Sequence, residues 1–302
     1  MVAVFDEAAV RKALDWDMLI DAMEAALAAF SSGKVIQPVR AAITLEEDRR
    51  YFLIMPAAAE QAMGAKLVSF YPGNAGSPVP THMAMIVLFR PDTGEPLAVM
   101  DGRLITEMRT AAVSAAVTKH LAPPEARVLA LLGSGVQSQA HLAALRRVRE
   151  FSEERVWSPT RAHAERFAGA HGVTTAPDAR SAVEGADVVV TATNAKEPVL
   201  QGAWLKPGAH VNAVGAARPN WRELDDAAMR AGALIVDSRE AALTESGDVI
   251  LSRAPIFAEA GEIFLGAPKP PAGTTTIFKS LGLAVEDIAA AHLVYRVHPA
   301  AG

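Results

Sequence analysis

The sequence predicts an α/β fold, a doubly wound parallel sheet joined to an α+β domain at its N-terminal side. Two observations carry that reading. Residues 126–137, Ala-Arg-Val-Leu-Ala-Leu-Leu-Gly-Ser-Gly-Val-Gln, pass from an apolar run through Gly133-Ser134-Gly135 directly into a helix-like segment. That order is a strand–turn–helix phosphate cradle of the Rossmann type, in which glycines let the backbone approach a pyrophosphate and the helix start holds its charge. From Arg127 onward, short apolar runs alternate with helical segments, the rhythm of βαβ units.

Taken in order, the elements read as follows. Asp15–Ser31 is an amphipathic helix: Met18, Leu19, Ala22, Met23, Ala26, Leu27 and Phe30 recur at helical spacing, Asp15 or Asp17 caps the start, and Gly33 ends it. Val39–Leu45, Tyr51–Met55, Gly64–Phe70, Met83–Arg90 and Leu97–Asp101 read as strands, with Pro91-Asp92-Thr93-Gly94 a turn between the last two. Leu104–Leu121 is a helix stopped by Pro123-Pro124. Strands follow at 127–132, 154–157, 187–191, 210–214 and 233–236, and helices at 136–149, 160–170, 178–184 and 225–231. After a Pro/Gly-rich stretch from Gly266 to Gly273, a last helix, Ala284–Val297, is expected to return to the N-terminal domain. The expected domains are 1–121, joined by a C-terminal helix at 284–302, and a dinucleotide-binding domain at 122–283.

Composition narrows the function. The chain has 302 residues, 51% hydrophobic and 21% charged, with a formal net charge of -5, values of a globular protein. No Lys/Arg block stands out, so no nucleic-acid partner is expected. No apolar run approaches the ~20 residues that span a bilayer. Cysteine is absent, which removes disulfides, a thiol nucleophile and thiolate metal sites. The start, Met-Val-Ala-Val-Phe-Asp-Glu, lacks the basic–apolar–small order of a secretory leader, so a cytoplasmic location is expected. The eight histidines are scattered, without the spacing of a metal site. Neither a G-x-S-x-G elbow nor a Walker lysine motif occurs.

The cofactor can be read further. Ser138 stands where a third Gly or Ala completes the fingerprint and is small enough to serve. An NAD site places an acid after the second strand to bond the ribose hydroxyls. Here Ser158-Pro159-Thr160-Arg161 occupies that point and no acid is present. Two hydroxyls and a guanidinium suit a 2′-phosphate, so NADP(H) is expected ahead of NAD(H). The bland alternative makes Arg161 a solvated charge at a helix start.

Three cations are candidates for holding a substrate. Lys66 lies mid-strand in Met63-Gly64-Ala65-Lys66-Leu67-Val68, and burying a lysine there without a partner is costly. It faces a cleft or a carboxylate or, on an edge strand, solvent. Arg109, on an Ala/Val-rich helix, either clamps a carboxylate or phosphate or pairs with Glu107 or Asp101. Arg40, alternating with Val39 and Ala41 on a strand, has the same two readings. His82 precedes an apolar strand, and a lone histidine of this kind is more often structural than functional.

Several segments together resemble the ornithine cyclodeaminase/mu-crystallin family. They are Gly64-Ala65-Lys66-Leu67-Val68, Leu97-Ala98-Val99-Met100-Asp101-Gly102, Arg109-Thr110-Ala111-Ala112, Leu132-Gly133-Ser134-Gly135-Val136-Gln137 and Lys206-Pro207-Gly208-Ala209-His210-Val211-Asn212. Val214-Gly215-Ala216, Arg222-Glu223-Leu224-Asp225, Glu245-Ser246-Gly247-Asp248-Val249 and Phe278-Lys279-Ser280-Leu281-Gly282 continue the likeness, which spans nearly the whole chain. The mu-crystallin branch is the nearest in pattern. The resemblance implies a Rossmann domain beside an N-terminal domain that builds the substrate pocket and a homodimer interface. It implies that Arg40 and Arg109 grip a small-molecule carboxylate, with Lys66 beside the reacting centre. Gly133, Ser134, Gly135, Val136 and Gln137, with Ser158, Thr160 and Arg161, would hold the cofactor. Thr81, His82, Thr110, Thr193 and Ser280 would line its nicotinamide and phosphate region. One departure matters. Cyclodeaminases resemble Val-Gly-Gly-Asp-Cys-Pro after the fourth Rossmann strand, whereas this chain reads Val214-Gly215-Ala216-Ala217-Arg218-Pro219. Ala217 cannot move a proton. The resemblance therefore implies an NADPH-dependent reductase of small, cyclic α-imino acids. An alanine-type dehydrogenase, a cyclodeaminase and a non-catalytic NADPH-regulated ligand carrier are the alternatives.

Overall fold

The computed structural model describes residues 2–47 and 49–297. They fold as two compact units: one takes the chain up to Arg109 together with residues from Gly282 onward, the other takes Thr110–Leu281.

The first unit begins with β1 (Ala3–Phe5), α1 (Glu7–Ala13) and α2 (Trp16–Ser31), followed by β2 (Ala41–Glu46), β3 (Arg50–Ala58), β4 (Met63–Phe70), β5 (His82–Phe89) and β6 (Pro96–Asp101). The Asp15 carboxylate caps α2 by accepting from the Asp17 and Met18 amides, at 2.9 and 3.2 Å, and Gly33, at φ +74°, follows its end. The described strands form one sheet in the order β1-β6-β5-β4-β3-β2, antiparallel except for the β1–β6 pair. β4 is an interior strand, and Gly64, Lys66 and Val68 alternate onto its buried face. Helix α3 (Arg103–Leu121) carries the chain into the second unit.

The second unit continues with β7 (Val128–Leu132), α4 (Val136–Val148), β8 (Glu153–Trp157), α5 (Arg161–His171), β9 (Thr174–Thr175), α6 (Ala179–Val183), β10 (Val188–Thr191) and β11 (His210–Ala213). Then come α7 (Asp226–Met229), β12 (Ala233–Val236), α8 (Arg239–Glu245), α9 (Gly247–Ser252), β13 (Ile256–Glu259), α10 (Ala260–Phe264) and β14 (Thr276–Lys279). Its described strands make an eight-stranded parallel sheet ordered β13-β12-β14-β11-β10-β7-β8-β9. The central strands are buried throughout, and Leu132, Val189, Val211, Val236 and Ile277 belong to one apolar core. Strand order reverses between β7 and β10. At such a switch point the loops diverge and leave a crevice for a ligand.

The chain returns to the first unit as α11 (Ala284–Val297), which packs on α2 and on β3, β4 and β5. Residues 298–302 of the helix expected at 284–302 lie outside the described residues. β14 is the main addition to the expected strands: it sits in the sheet between β11 and β12. Its four residues, Thr-Ile-Phe-Lys, are too short and too polar at their ends to signal a strand by pattern.

Candidate functional site

In the first unit a cluster of charges is buried beneath α11. Lys66 and Arg109 are only 1% and 4% exposed. The Lys66 Nζ lies 2.7 Å from Asp287 Oδ2 and donates to Thr106 Oγ1 at 3.4 Å. Arg109 donates from Nε to Asp287 Oδ1 at 2.8 Å and from Nη1 to Glu286 Oε2 at 2.7 Å. Arg40 donates to the Gly282 carbonyl at 2.9 Å. Gly282 has φ +79°, and a Cβ there would collide with the Arg109 guanidinium, so this backbone position requires glycine. Of these five ionisable side chains three are cationic and two acidic, which favours a ligand anion.

The local electrostatics follow from burial. Loss of water pushes the Lys66 pKa down to about 8; Asp287 opposes the shift, and Arg109 and Arg40 reinforce it. Burial alone would raise Asp287, but Arg109 and Lys66 hold its carboxyl below the ordinary range. His82 is driven down to about 4, first by burial and then by the fields of Lys66 and Arg109, so its imidazole is neutral at pH 7.

Lys66 meets a carboxylate, that of Asp287, and the alternative of a solvent-facing lysine on an edge strand is excluded. Two further readings change. Arg109 pairs with neither Glu107 nor Asp101: Asp101 caps α3 through the Arg103 and Leu104 amides, and Glu107 lies 4.0 Å from Arg103. Its partners come from α11 instead. Arg40 precedes β2 rather than lying within a strand. Glu286 and Asp287 escaped the sequence reading because two acids opening an Ala-rich helix look like ordinary first-turn residues.

In the second unit the glycine turn lies at the end of β7. Gly133 has φ +117°, and a Cβ on it would strike the Ala192 carbonyl. Gly135 is the N-cap of the 13-residue α4, no side chain caps that end, and a Cβ there would meet open space. Ser134 lies between them, and Val136 and Gln137 open α4, so their amides face the crevice end of the helix. The buried Gln137 Oε1, Ser138 Oγ and Ser280 Oγ have no protein partner. A glycine cradle, an uncapped helix start and unpartnered polar atoms fit a bound dinucleotide.

The remaining candidates are more dispersed. Ser158 is buried just past β8, and Thr160 is the N-cap of α5 without a side-chain cap bond. Arg161 opens α5 with its side chain 85% exposed and paired at 2.7 Å to Glu165, the solvated alternative as far as the protein alone decides. Thr193, past β10, donates from its amide and hydroxyl to Glu223 Oε1 at 2.6 and 2.7 Å. Thr81 and His82 belong to the first unit at the start of β5, where the Thr81 carbonyl accepts from the Tyr71 amide at 2.7 Å. Thr110, half-buried on α3, opens the second unit. Glu223, Asp248 and Lys279, all fully buried, carried no role from sequence, although a lysine in an apolar run is the same signal that singled out Lys66. Among the described residues no cluster of three or more His, Asp or Glu is arranged to hold a metal ion, and no helix is long and apolar enough to cross a membrane.

A parallel sheet with a glycine cradle at its switch point, in a chain that also buries a cationic cluster, defines a Rossmann-type nucleotide-binding protein. The chain belongs to the ornithine cyclodeaminase/mu-crystallin family, whose model matches residues 2–299. It is 53% identical over 285 residues to the ketimine reductase mu-crystallin of Mus musculus, covering 92% of this chain and 91% of the relative. Among solved structures, Delta(1)-pyrroline-2-carboxylate reductase of Thermococcus litoralis, in complex with NADH and L-proline, superposes with a TM-score of 0.93 at 35% identity, covering 98% of this chain and 97% of that one. An archaeal alanine dehydrogenase dimer with bound NAD gives 0.92 at 31% identity, covering 98% and 95%.

Proposed function

We propose that this chain is a homodimeric, cytoplasmic oxidoreductase that reduces small cyclic α-imino acids to L-amino acids, with NADP(H) used ahead of NAD(H). The observation that carries the reading is the Lys66–Asp287–Arg109 cluster, with Arg40 beside it, in a chain whose relatives act on cyclic C=N bonds. Arg109 spends Nε and Nη1 on acids, leaving Nη2 to join Arg40 on the substrate carboxylate. That grip fixes the C=N group in one orientation, and held geometry of this kind removes several kcal/mol of barrier.

Lys66, with its pKa near 8, is a proton donor matched to neutral pH. It keeps the imine nitrogen protonated, which makes the adjacent carbon the better hydride acceptor. Asp287 aims the ammonium. The backbone amides at Gly135–Gln137 hold the dinucleotide phosphates, and Ser158, Thr160 and Arg161 receive the 2′-phosphate. When bound, the nicotinamide supplies the hydride.

Homodimerisation is supported by the sheet face opposite α11. Ile43, Met83 and Met85 are exposed there at 48%, 38% and 54%, beside Phe52 and Leu67, a contiguous apolar surface of the sort that marks an interface.

The test mixes the protein with NADPH and, in turn, 1-pyrroline-2-carboxylate, 1-piperideine-2-carboxylate, pyruvate with ammonia, and ornithine. Loss of coenzyme absorbance with the cyclic imines is expected. Turnover only with pyruvate and ammonia would move the protein to the dehydrogenases. Ammonia release from ornithine is not expected, because Ala217 offers no acid at the position where cyclodeaminases carry one.

A further inference from the structure

We infer that Glu223 is a positioning residue that builds the bed for the nicotinamide half of the coenzyme by clamping together the loops after β10 and β11. The inference rests on the coenzyme reading above. Its observations lie wholly within the second unit.

The Glu223 carboxylate is fully buried and accepts four hydrogen bonds. Oε1 takes the Thr193 amide and hydroxyl at 2.6 and 2.7 Å, and Oε2 takes the Thr191 hydroxyl at 2.9 Å and the Gly215 amide at 2.7 Å. Thr191 and Thr193 belong to the end of β10 and its loop; Gly215 belongs to the loop after β11. One side chain therefore ties two neighbouring loops at the carboxyl edge of the sheet. Asp248 steadies the clamp from behind, accepting the Glu223 and Leu224 amides at 2.9 and 3.0 Å. Lys279 at the end of β14 closes the ring, donating to Asp248 Oδ2 at 2.9 Å and also to the Gly215 carbonyl.

Two further features show that the loops are held under constraint. A Cβ on Gly215 would collide with the Glu223 carboxyl and the Thr193 carbonyl, so the loops approach to backbone contact. The next residue, Ala216, sits in the left-handed region at φ 54°, which an L side chain adopts only when its surroundings over-determine it. Such strain gathers where backbone shape is functional.

The place of the clamp gives the constraint a purpose. In a doubly wound sheet the dinucleotide crosses the switch point with its two halves on opposite sides. The Ser158–Arg161 turn, on the β8 side of β7, takes the adenosine half. The β10 and β11 loops on the other side are left for the nicotinamide half, and they are the two loops Glu223 ties.

The experiment is a binding split on the full-length protein. NADPH and the fragment 2′,5′-ADP, which lacks the nicotinamide, are titrated against wild type and Glu223→Gln, with folding monitored by circular dichroism and melting temperature. A glutamine amide donates where a carboxylate accepted, so at least one loop is released. The Kd for NADPH is expected to rise about tenfold, a loss of roughly 1.4 kcal/mol, while the Kd for 2′,5′-ADP stays unchanged within error. Equal weakening of both, or no weakening of either, overturns the inference. Absence of NADPH binding by wild type would instead defeat the coenzyme reading itself. Should Glu223→Gln fail to fold, Ala216→Gly carries the test. It relieves the left-handed strain and frees the loop, so a raised melting temperature with a weakened NADPH Kd and an unaltered 2′,5′-ADP Kd is expected. An unaltered NADPH Kd in that variant overturns the inference.

Discussion

Lys66 depends on partners that its own strand does not supply. Its ammonium stays charged because Asp287 lies 2.7 Å away, and its proton is labile because burial and two guanidinium groups oppose that charge. Lys66→Met is expected to lower kcat for imine reduction by about a hundredfold or more, the usual worth of a positioned proton donor, with coenzyme Kd unchanged by fluorescence titration. The same donor sets a pH dependence. The ammonium proposed as the proton donor predominates below its pKa of about 8, so kcat/KM should fall as pH rises through that value. A profile flat from pH 6 to 9.5 would remove Lys66 as the acid. Arg109 is different, because the residue proposed to bind substrate is also held in buried ion pairs with Glu286 and Asp287. Arg109→Ala leaves Glu286 and Asp287 buried without their main counter-charge, and losing one partner of a buried pair costs about 3–5 kcal/mol. A melting temperature lowered by several degrees should therefore accompany the lost carboxylate affinity.

The turn after β8 is where the proposed coenzyme preference would be decided. Arg161 is exposed and lightly held by Glu165, so it can be recruited to a 2′-phosphate at small cost. A charge-assisted bond of about 1.5–3 kcal/mol means that Arg161→Ala should lower the NADPH/NADH ratio of kcat/KM by about tenfold or more. Ser158→Asp, which restores an acid at the strand end, should lower it further, and an unchanged ratio in both would place the discrimination elsewhere. Elements of this kind were readable because their signals are local: the glycine turn, the apolar runs of β7, β10 and β11, and the missing acid are each contained in a few consecutive residues. β14 was not read as a strand, since its two apolar residues, Ile277 and Phe278, stand between Thr276 and Lys279 and make no apolar run. Glu286 and Asp287 were not readable either. The bond from Arg109 to Asp287 joins residues 178 positions apart, and no local periodicity records such a pairing. The sequence therefore displayed the cations of the cluster and concealed the acids that hold them.

For the whole molecule, the sheet face opposite α11 has the strongest consequence. Its exposed methionines and isoleucine would be a liability in an isolated monomer. Met85→Glu places a charge at its centre and is expected to shift sedimentation from dimer to monomer, or to a concentration-dependent mixture of the two. A variant that still sediments as a tight dimer would put the interface on another surface.

The late return of α11 bears on how the protein is made. During translation Lys66 and Arg109 emerge long before the acids that neutralise them. At synthesis rates of roughly 5–20 residues per second, the 178-residue interval leaves Arg109 without Asp287 for about ten to thirty-five seconds. The nascent first unit cannot close over those cations until α11 has emerged. A message truncated ahead of α11 would yield a first unit with a charged, open core, a natural client for chaperones and proteases.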